Sequence, residues 1–130
     1  MRHYEGAFRD FPKTQFILGH AGARDVADAI PLAKKYPGNV WLGIHWQGVS
    51  TLQQLVDEVG GDRLLFGTDW PFYHLAATQA KVLMISEGDS GLRRAILRDN
   101  ALRMFSQSQA EAGASSTTKS GATSAYERIS

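Results

Sequence analysis

The sequence predicts an α/β fold organised around a small parallel sheet, and three observations lead there. Apolar runs rich in β-branched or aromatic residues recur at residues 14–19, 39–45 and 63–67. None alternates apolar with polar residues as a half-exposed strand would, so each reads as a strand buried on both faces. Helical patterns fill the intervals, and the connections are a few residues long, which is the order that parallel βαβ units produce.

The elements follow in turn. Residues 1–11 read as the end of an earlier helix with Phe8 and Phe11 on its buried side. After the first strand, residues 24–36 place Val26, Ala29, Ile30 and Ala33 on one helical side, and Pro37-Gly38 stops them. Pro31 has no N–H and crowds the carbonyl of Ala27, so a kink or break is expected there. The second helix, residues 50–59, opens on Ser50 as its cap, carries Leu52, Leu55, Val56 and Val59 at helical spacing, and ends at Gly60-Gly61. After the third strand, residues 75–87 read as helix, Gly88-Asp-Ser-Gly91 interrupts, and residues 92–105 resume, with Asp99 as a possible cap for a last short helix. Residues 1–105 form one domain on this reading. From Ser106 to Ala125 there is no Leu, Ile, Val, Phe, Trp or Tyr, so residues 106–130 are expected to be a disordered tail.

Composition narrows the function classes. Hydrophobic residues make up 43% and charged residues 21%, a globular balance. Fourteen Lys and Arg against thirteen Asp and Glu leave a formal charge of +1 and no basic stripe, so nucleic acid is not an expected partner. The absence of cysteine removes disulfides and thiolate metal sites and leaves His, Asp and Glu as ligands. The first residues lack the apolar core of a signal peptide, and no run approaches the ~20 apolar residues of a membrane span. A cytoplasmic protein without membrane contact is the default expectation.

Two strand ends carry the chemistry. Leu18-Gly-His-Ala-Gly22 puts His20 just past the first strand, and Phe66-Gly-Thr-Asp-Trp-Pro-Phe72 puts Asp69 just past the third. In parallel α/β folds the loops after the strands form one open face, so both residues belong on one rim, with the Trp41 strand between theirs. Gly19, Gly22 and Gly67 would let the backbone turn sharply there. An imidazole and a carboxylate so placed can share a divalent metal or pass a proton. Each also has a plain structural reading, a hydrogen-bonded histidine and a turn-capping aspartate. Gly19-x-x-Gly22 before a helix could instead cradle a phosphate, although a lone pattern of that kind is common by accident. Of the three tryptophans, Trp70 is the expected pocket contact because it follows Asp69 directly.

Longer motifs add a resemblance. Phe11-Pro-Lys-Thr-Gln-Phe-Ile-Leu-Gly-His-Ala-Gly22, Pro37-Gly-Asn-Val-Trp-Leu42, Gly61-Asp-Arg-Leu-Leu-Phe-Gly-Thr-Asp-Trp-Pro-Phe72 and Ile96-Leu-Arg-Asp-Asn-Ala-Leu-Arg-Met-Phe105 stand in sequence. Together they resemble the amidohydrolase-related metal-dependent hydrolases, in the branch of aminocarboxymuconate-semialdehyde decarboxylase and related lactonases.

The resemblance implies the C-terminal three βα units of a TIM-type (β/α)8 barrel, an incomplete barrel, since a whole one takes about 250 residues. It implies a hydrolase or decarboxylase that acts on a small carboxylated, lactone or amide substrate through a metal-activated water. The divalent metal would be zinc. His20 matches the sixth-strand histidine and Asp69 the eighth-strand aspartate, so both are expected as catalytic and metal-binding residues, with His45 and Trp70 on the substrate side. The family's first-strand His-x-His or Glu-x-His and its fifth-strand histidine have no counterpart, and His3 and His74 do not occupy those positions. Asp69 and His20 alone fall short of the usual three protein ligands. The chain on its own is therefore expected to be inactive, and to self-associate or join an N-terminal barrel half. The alternative from another class is a non-catalytic α/β interaction module derived from the barrel.

Overall fold

The computed structural model describes residues 2–107 and 109. Three short strands, β1 (Phe16–Leu18), β2 (Val40–Gly43) and β3 (Leu64–Leu65), form one parallel sheet in the order β1-β2-β3. Phe16 pairs with Val40, Leu18 with Leu42, and Leu42 with Leu64. The expected order, with the Trp41 strand in the middle, is the observed one. Helices accompany the sheet: α1 (Glu5–Asp10), α2 (Val26–Lys35), α3 (Val49–Val59), α4 (Leu75–Ile85) and α5 (Ser90–Arg94). After α5, a π-helical turn over Ala95–Asp99 leads into a helical stretch at residues 100–107. The rest of the expected tail lies outside the described residues.

The register puts Phe16, Leu18, Val40, Leu42 and Leu64 on one face of the sheet, where they meet the helices. The main core joins Leu18, Val40, Leu42, Ile44 and Leu64 to Ala29, Ile30, Leu32 and Ala33 of α2, Leu52 and Leu55 of α3, and Val82 and Ile85 of α4. Burying each large aliphatic side chain contributes about 1.5–3 kcal/mol, so this layer dominates stability. The opposite face carries a smaller cluster of Trp41, Leu65 and Met104. Arg63 and Arg103 lie over the Trp41 ring at 4.8 and 5.4 Å, and its indole N–H donates to Gln15.

Several local expectations change. Burial on both faces holds for β2 and β3 but not for β1, where Ile17 is 51% exposed. Phe8 is buried, but Phe11 is exposed because α1 ends at Asp10 and the chain turns there. Asn39 ends that helix by donating its side-chain amide to the carbonyls of Phe8 and Phe11. Pro31 neither breaks nor ends α2, and both it and Ala27 are exposed, so water can meet the freed carbonyl. Helix α3 starts one residue before Ser50, with Gly48 in the cap position and no capping side chain. A side-chain cap does form at α5, where the Asp89 carboxylate accepts from the Leu92 N–H. Asp99, the expected cap, instead pairs with Arg94 and Arg98, and those pairs hold its carboxyl below the usual range.

Candidate metal and substrate site

The loops after the three strands open on one rim, and each contributes one side chain. Leaving β1, the backbone enters a run of positive φ: His20 at 53°, Ala21 at 49°, Gly22 at 89° and Ala23 at 57°. His20 and Ala21 sit in the left-handed region, which costs a non-glycine residue about 1–2 kcal/mol. Ala23, at ψ −113°, occupies a region usually left to glycine. The strained turn folds His20 back over the end of the sheet.

After β2, Ile44 continues the core and His45 follows, with Trp46 at φ 72° swinging the chain outward. The His45 ring lies over two glycines. A Cβ at Gly67 would stand 2.9 Å from His45 Nδ1, and one at Gly43 would stand 3.0 Å from Cε1. Gly67 thus clears space for an imidazole, and it is not at positive φ, so the sharp-turn role expected for it is replaced. After β3, Asp69 adopts φ 61°, and the Phe72 N–H closes a turn onto its carbonyl at 2.9 Å, with the Trp70–Pro71 peptide cis.

The three side chains converge. His20, His45 and Asp69 each offer a ligand atom, and these atoms all lie within 4.8 Å of one another. His20 Nε2 is 3.8 Å from an Asp69 carboxylate oxygen, and the two imidazole centroids are 4.3 Å apart. The His20 Nδ1 is 3.3 Å from the His45 carbonyl, an oxygen that can only accept, so Nδ1 is the donor and Nε2 is the nitrogen turned toward Asp69. Burial pulls the His45 pKa below its ordinary value, the neighbouring His20 pulls it further, and Asp69 partly opposes them. The shift favours the neutral imidazole of His45, the form that binds metal.

Two imidazole nitrogens and a carboxylate oxygen are donors of the kind that bind a divalent metal. The sequence pointed to two ligands, and the third donor, His45, was placed with the substrate instead. The Gly43-x-His45 spacing and Gly67 were the available signal, because glycines beside a strand end make room for a ring.

Beside these residues opens a cavity of about 410 Å³ lined by His20, Ala23, Trp46, Asp69, Phe72 and Tyr73. Trp70, the expected contact, is 73% exposed and lines no part of it; Trp46 takes that place. His74 caps α4 by accepting from the Ala76 N–H. Among the described residues no helix is long and apolar enough to cross a membrane.

The family model described as Amidohydrolase matches residues 1–107. The chain belongs to the amidohydrolase family. Two relatives are gamma-resorcylate decarboxylases, from Rhizobium sp. (strain MTP-10005) and Polaromonas sp. (strain JS666 / ATCC BAA-500). Each is 34% identical over 77% of this chain and 36% of its own length. The crystal structure of 2,6-dihydroxybenzoate decarboxylase complexed with 2,6-dihydroxybenzoate superposes with a TM-score of 0.61 and 26% identity, covering 78% of this chain and 37% of that one. An amidohydrolase from Burkholderia multivorans shares the fold, with a TM-score of 0.56, 16% identity, and coverage of 82% and 50%. These relatives support the decarboxylase-like branch of the amidohydrolases. The chain spans about a third of the length of the curated relatives it matches.

Proposed function

We propose that this chain forms the last three βα units of a (β/α)8 barrel whose function is metal-dependent decarboxylation or hydrolysis of a small carboxylated substrate. Within that class we favour an aromatic acid of the hydroxybenzoate kind, decarboxylated at the rim. One observation carries the reading: two imidazoles and a carboxylate converge within 4.8 Å beside a cavity lined by Trp46, Phe72 and Tyr73. The aromatic walls suit a flat ring, and the names of the relatives point to the same substrate class.

His20, His45 and Asp69 would hold the metal, with zinc favoured by their nitrogen and oxygen donors. When bound, the cation supplies Lewis-acid polarisation of a substrate carboxylate or of water. The chain's own residues do the rest. Asp69 accepts or returns a proton at its carboxylate, His20 Nε2 stands within reach of that oxygen, and the aromatic walls orient the ring and exclude water. Turnover is expected to need the remaining strands of a barrel, since this chain spans about a third of the length of its decarboxylase relatives.

Zinc titration of the chain by calorimetry tests the site. Wild type is expected to bind zinc at one site, and Asp69→Ala to weaken it by about two orders of magnitude, about 2.7 kcal/mol. Absence of zinc binding, or equal binding by the variant, would sink the reading. The alternative, a non-catalytic module that docks through its sheet edge, is favoured by the exposure of Ile17 on β1. Zinc-dependent release of carbon dioxide from 2,6-dihydroxybenzoate by this chain would eliminate it.

A further inference from the structure

We propose that Gln47, braced by Lys81, is the positioning residue that sets His20 in place by holding the loop after β1 in its left-handed path. The inference rests on the metal-site reading, because His20 is one of the three donors. A run of positive φ points successive carbonyls away from the partners that regular structure would supply. Gln47 reaches across from the loop after β2, and its side-chain N–H groups donate to the carbonyls of both His20 and Ala23. One side chain thereby ties the first residue of the run to the last.

Gln47 is only 7% exposed, so water does not readily replace a donor lost there. Its own backbone carbonyl accepts from Lys81 Nζ at 3.0 Å, which anchors the loop to α4. The same loop supplies the His45 carbonyl that meets His20 Nδ1. Residues 44–48 therefore restrain both the backbone and the ring of His20 while also carrying His45. Supports of this kind orient metal ligands before the ion arrives, and their loss typically costs ten- to a hundredfold in affinity.

The test uses Gln47→Met, which keeps the length of the side chain and removes its donors. Two quantities are read on the 130-residue chain at one pH: Co²⁺ affinity from visible absorption, and the ¹⁵N shifts of the His20 ring without metal. Gln47→Met is expected to weaken Co²⁺ binding about tenfold and to move the His20 ring away from the Nδ1-protonated pattern. Asn100→Ala, at the opposite end of the sheet, is expected to lower the melting temperature and leave both readings unchanged. If Gln47→Met does not fold, Lys81→Met removes only the brace and is expected to move the His20 shifts in the same direction by less. His20 shifts and Co²⁺ affinity that match wild type in the folded variant overturn the proposal. Wild type that binds no Co²⁺, while the variant still moves the His20 ring, overturns the metal reading and upholds the positioning role.

Discussion

The two faces of the sheet differ in what covers them. On one, Leu18, Val40, Leu42 and Leu64 meet the apolar sides of α2, α3 and α4. On the other, Trp41 and Leu65 are buried under Met104 and two guanidinium groups near the strand starts, while Ile17 lies half in the open. The helices of this chain carry enough apolar surface to cover one layer, and what covers the second is largely two arginines and one turn of helix. A guanidinium over an indole is a serviceable cover, because its flat face tolerates an apolar neighbour while its edge stays polar. One nitrogen of Arg63 is nonetheless buried without a hydrogen-bond partner among the described residues, a cost the helical face does not carry.

The largest effect that separates the faces should come from matched truncations. Leu42→Ala empties a fully buried position in the main core and is expected to cost about 2–5 kcal/mol. Ile17→Ala, one residue away in the neighbouring strand's register, should cost less than about 1 kcal/mol because half of its surface is already in water. Urea unfolding measures both. Equal losses would mean that a second copy or a partner covers Ile17 in solution, and the contrast between the faces would collapse.

That contrast was only half visible in the sequence. The three strands and their order were legible because each is a short apolar run followed by glycine or histidine and a helical pattern. The side that each residue faces was not. Phe16, Ile17 and Leu18 are all apolar, so composition cannot set the phase of a strand three residues long. The register places Phe16 and Leu18 on the helical face and leaves Leu65 on the other. A slip of one residue exchanges the faces entirely.

The site was legible to a similar depth. His20 and Asp69 both follow strands, so topology alone puts them on one rim. His45 also follows a strand, but its inclusion depends on a ring seated over Gly43 and Gly67, the second a contact between residues twenty-two apart. The support from Gln47 was illegible, because a glutamine in a polar loop looks like any solvated residue until the loop curls over it.

A middle-sized effect probes the seam where the two faces meet at the strand starts. Asn100 is 1% exposed, and its side-chain amide donates to the carbonyls of Gly61 and Leu64 at 2.8 Å each. Asn100→Ala leaves two buried carbonyls without their donor and is expected to cost about 2 kcal/mol. Asn100→Asp should be as costly, since a carboxylate at that place meets two acceptors. Thermal unfolding of both variants checks the pair, and an aspartate as stable as wild type would show that the amide is not the donor that matters.

The smallest effect concerns how α1 is fastened to the helical face, where apolar and ionic attachments can be compared directly. Phe8 packs edge-on against Phe16 and Tyr36, at 5.0 and 6.0 Å between ring centres, and is the apolar anchor. Glu5 is the ionic one: it accepts from Lys35 Nζ at 2.7 Å and from the Tyr36 hydroxyl at 3.2 Å. The Lys35 hydrogen bond, then that of Tyr36, lowers the Glu5 pKa below its ordinary 4.5, and the Glu5 hydrogen bond raises Lys35 above its ordinary 10.5. A carboxyl whose folded pKa is lowered adds stability above its unfolded value, and that stability is lost as pH falls through the folded one. For the raised lysine the contribution is present below its unfolded value and disappears as pH rises through the folded one. The attachment is therefore complete between about pH 5 and pH 10 and weakens on either side. Because Lys35 is 63% exposed, solvent and salt screen the pair. Glu5→Gln should then lower the melting temperature at pH 7 by about one degree or less. The difference from wild type should shrink as pH falls below 4.5 and the carboxyl becomes protonated in the folded chain as well as in the unfolded one. Phe8→Ala, by contrast, should lower it by many degrees at every pH, since removal of a buried aromatic costs about 3–5 kcal/mol. A Glu5→Gln difference that persists undiminished at low pH would assign the contribution to the shape of the side chain rather than to its charge.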